Sequence, residues 1–265
     1  MNKIKIVDDK IQLSDIDNTV ELSFKEKKES YLVNVIKIII HKDTELDINY
    51  DICESSKLDI FVNIKKGVTA KIYENTSGEN LKIQYKYYLE ENSDCEVYKT
   101  SHLKETKEYT IINLNGEHSK IKRVIKTISK GKEQYDMMVY HNAKNTVSDF
   151  INNGVNIENG ELTFNVSSFV SKDNTGCTVE QNNRIINLTS NTCMIQPNMY
   201  IDCYDVDANH SAFVGAFKEN EMFYLQSRGI PYEETLKLLI NGFLVSNLPD
   251  RKKDDLKDII NHYWR

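Results

Sequence analysis

YIDCYDVDANHSAFVGAFKENEMFYLQSRGIPYEETLKLLINGFLVSNL, residues 200–248, is where the chain changes its period. Before Phe217 apolar side chains tend to fall on every second residue, the spacing of strands with one buried face. Beyond it the spacing is helical. Met222, Phe223 and Leu225 predict a short helix, with Arg228 in its last turn, Gly229 suited to its C-terminal cap and Pro231 shortly after. A second helix is predicted from about Tyr232 to Leu248. Its Leu236, Leu239, Ile240, Phe243 and Leu244 follow an i, i+3, i+4, i+7, i+8 rhythm, and Glu233 and Glu234 favour its positive N-terminal end. DRKKDDLKDIINHYWR, residues 250–265 counted from Asp250, predicts a last helix bearing the sole tryptophan, Trp264.

Upstream, the period of two begins near Tyr31. Val33 and Val35 alternate with Asn34, and Ile48 and Ile52 follow. Leu58, Ile60, Val62 and Ile64 share one face, as do Val68, Ala70 and Ile72, and then Leu81, Ile83, Tyr85, Tyr87 and Leu89. Turns rich in Asn, Gly, Ser and Asp separate the runs, among them ENTSGEN (74–80) and SKDNTG (171–176). No helical period of about ten residues interrupts 31–215. Many short strands of this kind specify a solenoid or a sandwich, and spacing does not choose between them. The predicted division is a lead-in over 1–30, a β core over 31–216 and a helical subdomain over 217–265.

Composition excludes several classes. The chain has 265 residues, 40% hydrophobic and 28% charged, with a net charge of −6. That balance opposes a nucleic-acid surface, which needs concentrated Lys and Arg. MNKIKIVDDK has no apolar signal-peptide core, and the apolar cluster at 33–40 is too short to span a bilayer, so a cytoplasmic location is expected. Five cysteines without a CxxC pair fit reduced thiols rather than a zinc site. Cys95 and Cys203 share phase with apolar neighbours and read as core thiols. Cys177, beside Gly176 in a polar turn, is expected to be within reach of solvent; Cys193 is unassigned. No P-loop, GxSxG or HExxH motif is present.

The residues from Pro197 to Leu244 resemble the SufB/SufD family of iron–sulfur cluster assembly proteins. Pro197, Ile201, Asp205-Val206, His210, Ala212 and Val214-Gly215 carry the resemblance, above all with Phe223-Tyr224-Leu225 and Ser227-Arg228-Gly229-Ile230. His141, Asn145, Thr146 and Ser148, then Gln181, Asn187 and Leu188, extend it upstream. The resemblance implies a right-handed parallel β-helix followed by a small C-terminal α-helical subdomain. It implies a non-catalytic scaffold on which an iron–sulfur cluster is transiently assembled with a sulfur donor system. It further implies binding of the ABC ATPase SufC through the helices, and pairing through the β-helix with a SufB-type partner or a second copy.

His210 aligns with a histidine facing the partner subunit, which makes it the candidate metal ligand; residue chemistry alone reads it as an ordinary hydrogen-bonding histidine. Phe223, Tyr224, Arg228, Gly229 and Ile230 form the candidate SufC handle, with Phe223 and Leu225 expected to cap the open end of the solenoid. The chain departs from the SufB pattern where Asn182 stands in place of a cysteine and Ser211 in place of a glutamate. It is also shorter than many members. Cys177 could substitute for the missing cysteine across a neighbouring coil. The rival readings are a purely structural SufC partner with no cluster site and a β-helix carbohydrate-active enzyme, for which no acidic cluster is found.

Overall fold

The computed structural model describes residues 2–27 and 33–263, and the expected Trp264 lies outside them. Two hairpins open the chain: β1 (Asn2–Val7) with β2 (Lys10–Asp15), and β3 (Val20–Lys27) with β4 (Val33–Ile40). Next come β5 (Thr44–Ile52), β6 (Ser56–Ile64), β7 (Thr69–Leu89) and β8 (Asp94–Leu114). The series ends with β9 (Lys120–Ser129), β10 (Lys132–His141), β11 (Val147–Asn156), β12 (Glu161–Val170), β13 (Cys177–Asn187), β14 (Met194–Ile201) and β15 (Val206–Gly215). Beyond the hairpins every pairing is parallel, so the chain climbs as a β-solenoid. One face runs β1-β5-β7-β8-β9-β11-β13-β15; the other runs β4-β6-β7-β8-β10-β12-β14, with β7 and β8 bending to contribute to both.

The alternation read from the sequence fills the space between these faces. Leu58, Ile60, Val62, Ile64, Leu81, Ile83, Tyr85, Tyr87 and Leu89 are all buried in one apolar core. The phase expected for β4 is wrong. Its register to β6 pairs Asn34 with Leu58 and Ile36 with Ile60, so Asn34, Ile36, Ile38 and Ile40 face inward and Val35 outward. The Asn34 amide is satisfied by donating to the Asp9 carbonyl at 2.8 Å. ENTSGEN is a corner within β7 rather than a break between strands. Gly78 makes that corner with φ +115°, and a Cβ there would lie 1.9 Å from the Ile52 carbonyl oxygen.

A second corner repeats in every middle coil. Gly67, Asn92, His118, Asn145 and Gly176 all have positive φ, and each donates its amide to a carbonyl of the coil above: Glu91, Glu117, Lys144, Thr175 and Asp205. This column of left-handed residues sets where each strand of the first face begins.

Three helices follow: α1 (Glu219–Ser227), α2 (Tyr232–Val245) and α3 (Asp250–Tyr263). Leu236, Ile240 and Leu244 of α2, one turn apart, pack with Leu256 and Ile260 of α3 onto the outer side of the first face. There they meet Val124, Ile128, Ile151, Val155 and Ile186. Arg251 lies over the Tyr73 ring at 4.5 Å and ion-pairs with Glu45 and Asp47, pinning α3 to the early coils. No helix among the described residues is long and apolar enough to cross a membrane.

Candidate functional site

Cys177 follows the left-handed Gly176, the place occupied by Ser93, Ser119 and Thr146 in preceding coils. Ser93 and Thr146 each donate a hydroxyl to the carbonyl three residues back, at 2.6 and 3.1 Å. The Cys177 thiol does the same to Asn174 at 3.3 Å, and its sulfur lies 3.2 Å from the Thr146 hydroxyl. It is 1% exposed, so the expectation of a solvent-reached thiolate is not met. The cause is the corner itself: the residue after the left-handed position is the first inward side chain of the strand. Cys95 is buried as expected, and burial raises its thiol. Cys203 packs beside Cys177 against Met199 and Ile201 at the far end of the solenoid. Cys193 is half-buried with its thiol raised by desolvation.

His141 and His210 occupy contrasting settings. His141 is enclosed, its Nδ1 2.7 Å from the Thr146 hydroxyl and its Nε2 2.9 Å from that of Ser148. Burial drives its pKa down to about 4, which keeps the ring neutral at ordinary pH. His210 stands on β15, in phase with Val206 and Ala208 and in register with Gln181. Its side chain is exposed and makes no hydrogen bond among the described residues. Among the described residues β15 pairs with β13 on one side only, and β14 with β12 only, which leaves the end of the solenoid open. Tyr200 (54% exposed), Phe213, Val214 and Met194 add apolar surface there. Ser211 and Asn182, the two departures from the SufB pattern, are neighbours in register beside the histidine. Among the described residues no three His, Cys, Asp or Glu side chains converge as metal ligands.

α1 buries none of its side chains; Phe223 is 72% and Tyr224 58% exposed. The helix therefore does not cap the open end, contrary to expectation. α2 and α3 lie on the flank of the solenoid, and α1 projects beside them. The end of α1 is fixed by a Schellman motif: Gly229 (φ +86°) donates to Gln226 at 2.9 Å, and Ile230 to Leu225 at 3.4 Å. The Arg228 guanidinium lies 5.3 Å from the Tyr224 ring centre. A groove of about 290 Å³ runs between Leu188, Phe217, Met222, Phe223, Tyr232 and Leu236. Arg184 joins the two regions, with its guanidinium 5.5 Å from Phe213 on β15 and 5.3 Å from Phe243 on α2.

Inside the solenoid lies a charge cluster that sequence reasoning missed. Lys99 and Arg123 each approach Glu108 at 2.6 Å, and Glu74 lies 3.7 Å from Lys99, all four side chains essentially without exposure. Tyr85 donates to Glu74 at 3.2 Å. Burial acts to raise the Glu108 carboxyl, but Arg123 and Lys99 outweigh it and hold its pKa down to about 2. The signal was available: Glu74 shares strand phase with Ile72, Lys99 with Val97, Glu108 with Ile112 and Arg123 with Ile121 and Ile125.

Residues 20–243 match the family described as SUF system FeS cluster assembly, SufBD core domain. The iron–sulfur cluster assembly protein SufD of Bacillus subtilis is 26% identical over 230 residues, 83% of this chain and 51% of that protein. A SufBD family protein of Mycobacterium tuberculosis is 27% identical over 148 residues, 53% of this chain and 17% of the relative. One of Pyrococcus horikoshii is 39% identical over 46 residues, 17% and 10% of the two chains. The chain thus spans about half the length of the Bacillus relative, and less of the others.

Proposed function

The chain belongs to the SufBD core family of the SUF iron–sulfur cluster assembly system, and on that premise we propose that it is a non-catalytic, cytoplasmic scaffold subunit of a SUF complex. In this reading SufC binds the helical subdomain, residues 217–265, through Phe223, Tyr224 and Arg228, with Gly229 and Ile230 fixing the helix end. The open end of the solenoid pairs with a SufB-type partner or a second copy, and a cluster supplied by a sulfur donor system is assembled at that junction. His210 offers an imidazole nitrogen to iron in the assembling cluster. Cys177 is left out of this ligand set because its thiol is buried and hydrogen-bonded as a member of the turn column.

The observation that carries the reading is the coincidence of exposure with resemblance. The α1 aromatics and the inward phase of β15 are left uncovered by the chain, and they carry the family's FYLxSRGI and DVxxxH residues. Arg184, whose guanidinium lies near both Phe213 and Phe243, gives a contact through which movement of the helices would reach the strand of His210. A second reading, a structural SufC partner with no cluster site, is favoured by the lack of three converging ligands among the described residues.

The test is co-purification with SufC. Phe223→Ala with Arg228→Glu is expected to lower the recovered SufC at least tenfold while leaving the melting temperature unchanged, because neither side chain is buried. Retained SufC would sink the handle assignment. Anaerobic reconstitution of the SufC complex, read by visible absorption and by iron and sulfide content, separates the two readings.

A further inference from the structure

Two outward columns, one on each face of the solenoid, carry surface charge differently. On the first face one column of outward residues reads Glu45–Lys71–Glu96–Lys122–Asp149 in exact register, alternating in sign over five strands. Lys71 pairs with Glu96 at 3.4 Å and Lys122 with Asp149 at 3.2 Å. On the second face the column through β6, β7 and β8 reads Lys57–Lys82–Lys107. All three are exposed, and Lys82 and Lys107 form no ion pair among the described residues. Strands stack about 4.8 Å apart, and like charges directly opposite one another are destabilising. Lys57 has a partner of its own, but Lys82 and Lys107, opposite one another without a counter-ion among the described residues, are a local electrostatic cost on a chain whose net charge is −6.

From this contrast we infer that the Lys57–Lys82–Lys107 column is a docking ridge for a short, extended acidic segment of a partner protein. Shallow grooves flank the ridge. One of about 280 Å³ is lined by Asn80, Glu105, Lys132 and Gln134, the other of about 210 Å³ by Asp59, Gln84 and Tyr109. Ammonium groups on flexible stems can reach carboxylates in either. Lys132 is engaged with Glu161 at 3.9 Å, and Asp59 and Glu105 bound the basic stretch on its two sides.

Three strands span roughly 10 Å, the length of about three extended residues. That footprint suits a few carboxylates. It is too small for a nucleic acid, which needs many phosphates neutralised and would be repelled by the acidic remainder of the chain. The grooves are open rather than enclosing, unlike a site built around a small anion. The inference is independent of the assembly role proposed above.

The test is fluorescence anisotropy of a labelled hexaglutamate peptide with the full chain at low ionic strength, where surface electrostatics is least screened. Lys82→Gln with Lys107→Gln is expected to weaken binding at least tenfold. Lys71→Gln with Lys122→Gln, in the alternating column, should change it less than twofold. Lys82→Glu restores alternation, so it should abolish binding while raising the melting temperature by about 1–3 °C. Equal losses from the two columns, or no hexaglutamate binding by the parent chain, would overturn the inference. So would tighter binding of a single-stranded DNA 12-mer than of the peptide, lost with the same two lysines.

Discussion

The middle coils and the last coil are built from the same strands in the same phase, yet their inward positions differ in surroundings. One column of inward residues runs Val97–Arg123–Phe150–Gln181–His210. Arg123 is sealed and ion-paired, Phe150 is sealed in the core, and Gln181 donates to Ser168 at 2.8 Å. His210, one step further, has no coil above it and no side-chain hydrogen bond among the described residues. A position that is structural in the middle of a solenoid becomes a surface at its end, and the same residue types there are available for binding.

The largest expected effect lies in the middle. Arg123→Ala removes one member of a buried charge group and leaves Glu108 with Lys99 as its remaining cation. Breaking such a pair costs about 3–5 kcal/mol, which lowers the melting temperature by roughly 10 °C in a chain of this size. A fall of less than 2 °C would show that the cluster is hydrated and the middle coils are no more sealed than the end.

Glu133 sharpens the contrast within the middle itself. Thr127 and Tyr135 donate to it at 2.7 and 2.8 Å, but no cation lies in an ion pair with it among the described residues. Burial, partly opposed by those hydrogen bonds, raises its pKa from 4.5 to about 7. The folded state therefore holds this proton through the window from 4.5 to 7 in which the unfolded chain has released it, so stability falls as pH rises through that window. The loss amounts to about 3 kcal/mol between pH 4 and 8. Glu133→Gln should remove that slope and raise stability at pH 8, read from urea midpoints at the two pH values. Lys126, pushed down to about 7 by burial, works in the opposite sense above neutrality in both chains and cancels in the comparison. Identical slopes for parent and variant would mean that Glu133 is ionised in the folded state throughout.

Legibility in the sequence follows the same division. The strands were readable because every second residue from Leu58 to Ile64 and from Leu81 to Leu89 is apolar or aromatic and buried, and α2 because Leu236, Ile240 and Leu244 repeat at helical spacing. Parallel coiling was not readable from spacing. It depends on the left-handed column at Gly67, Asn92, His118, Asn145 and Gly176, whose members are chemically diverse and 25 to 31 residues apart. The phase of β4 was misread because a buried asparagine at its first inward position looks like a solvent-facing one until its partner, the Asp9 carbonyl, is known. Cys177 was misplaced for a related reason: a polar turn lies on the surface, but the residue that leaves it turns inward. His210 and the α1 residues were found through the family resemblance, since exposure at a chain's last coil leaves no periodic trace.

The smallest effect on stability is expected where the effect on function is greatest. His210→Ala deletes a side chain that is exposed and makes no hydrogen bond among the described residues, so the melting temperature of the isolated chain should stay within about 1 °C of the parent. If the end of the solenoid is the assembly face, the same substitution should reduce the iron and sulfide recovered on the SufC complex at least tenfold, because no other imidazole lies in that column. His141→Ala provides the converse. It empties a sealed pocket, orphans the Ser148 hydroxyl and removes one of the partners of Thr146, so it should destabilise the fold without a specific loss of cluster per folded molecule. Full cluster yield from the His210 variant would remove the histidine from the proposed ligand set and favour the structural-partner reading. A melting temperature lowered by His210→Ala would show instead that the last coil is sealed in solution, by a second copy lying where the strands of a further coil would otherwise be.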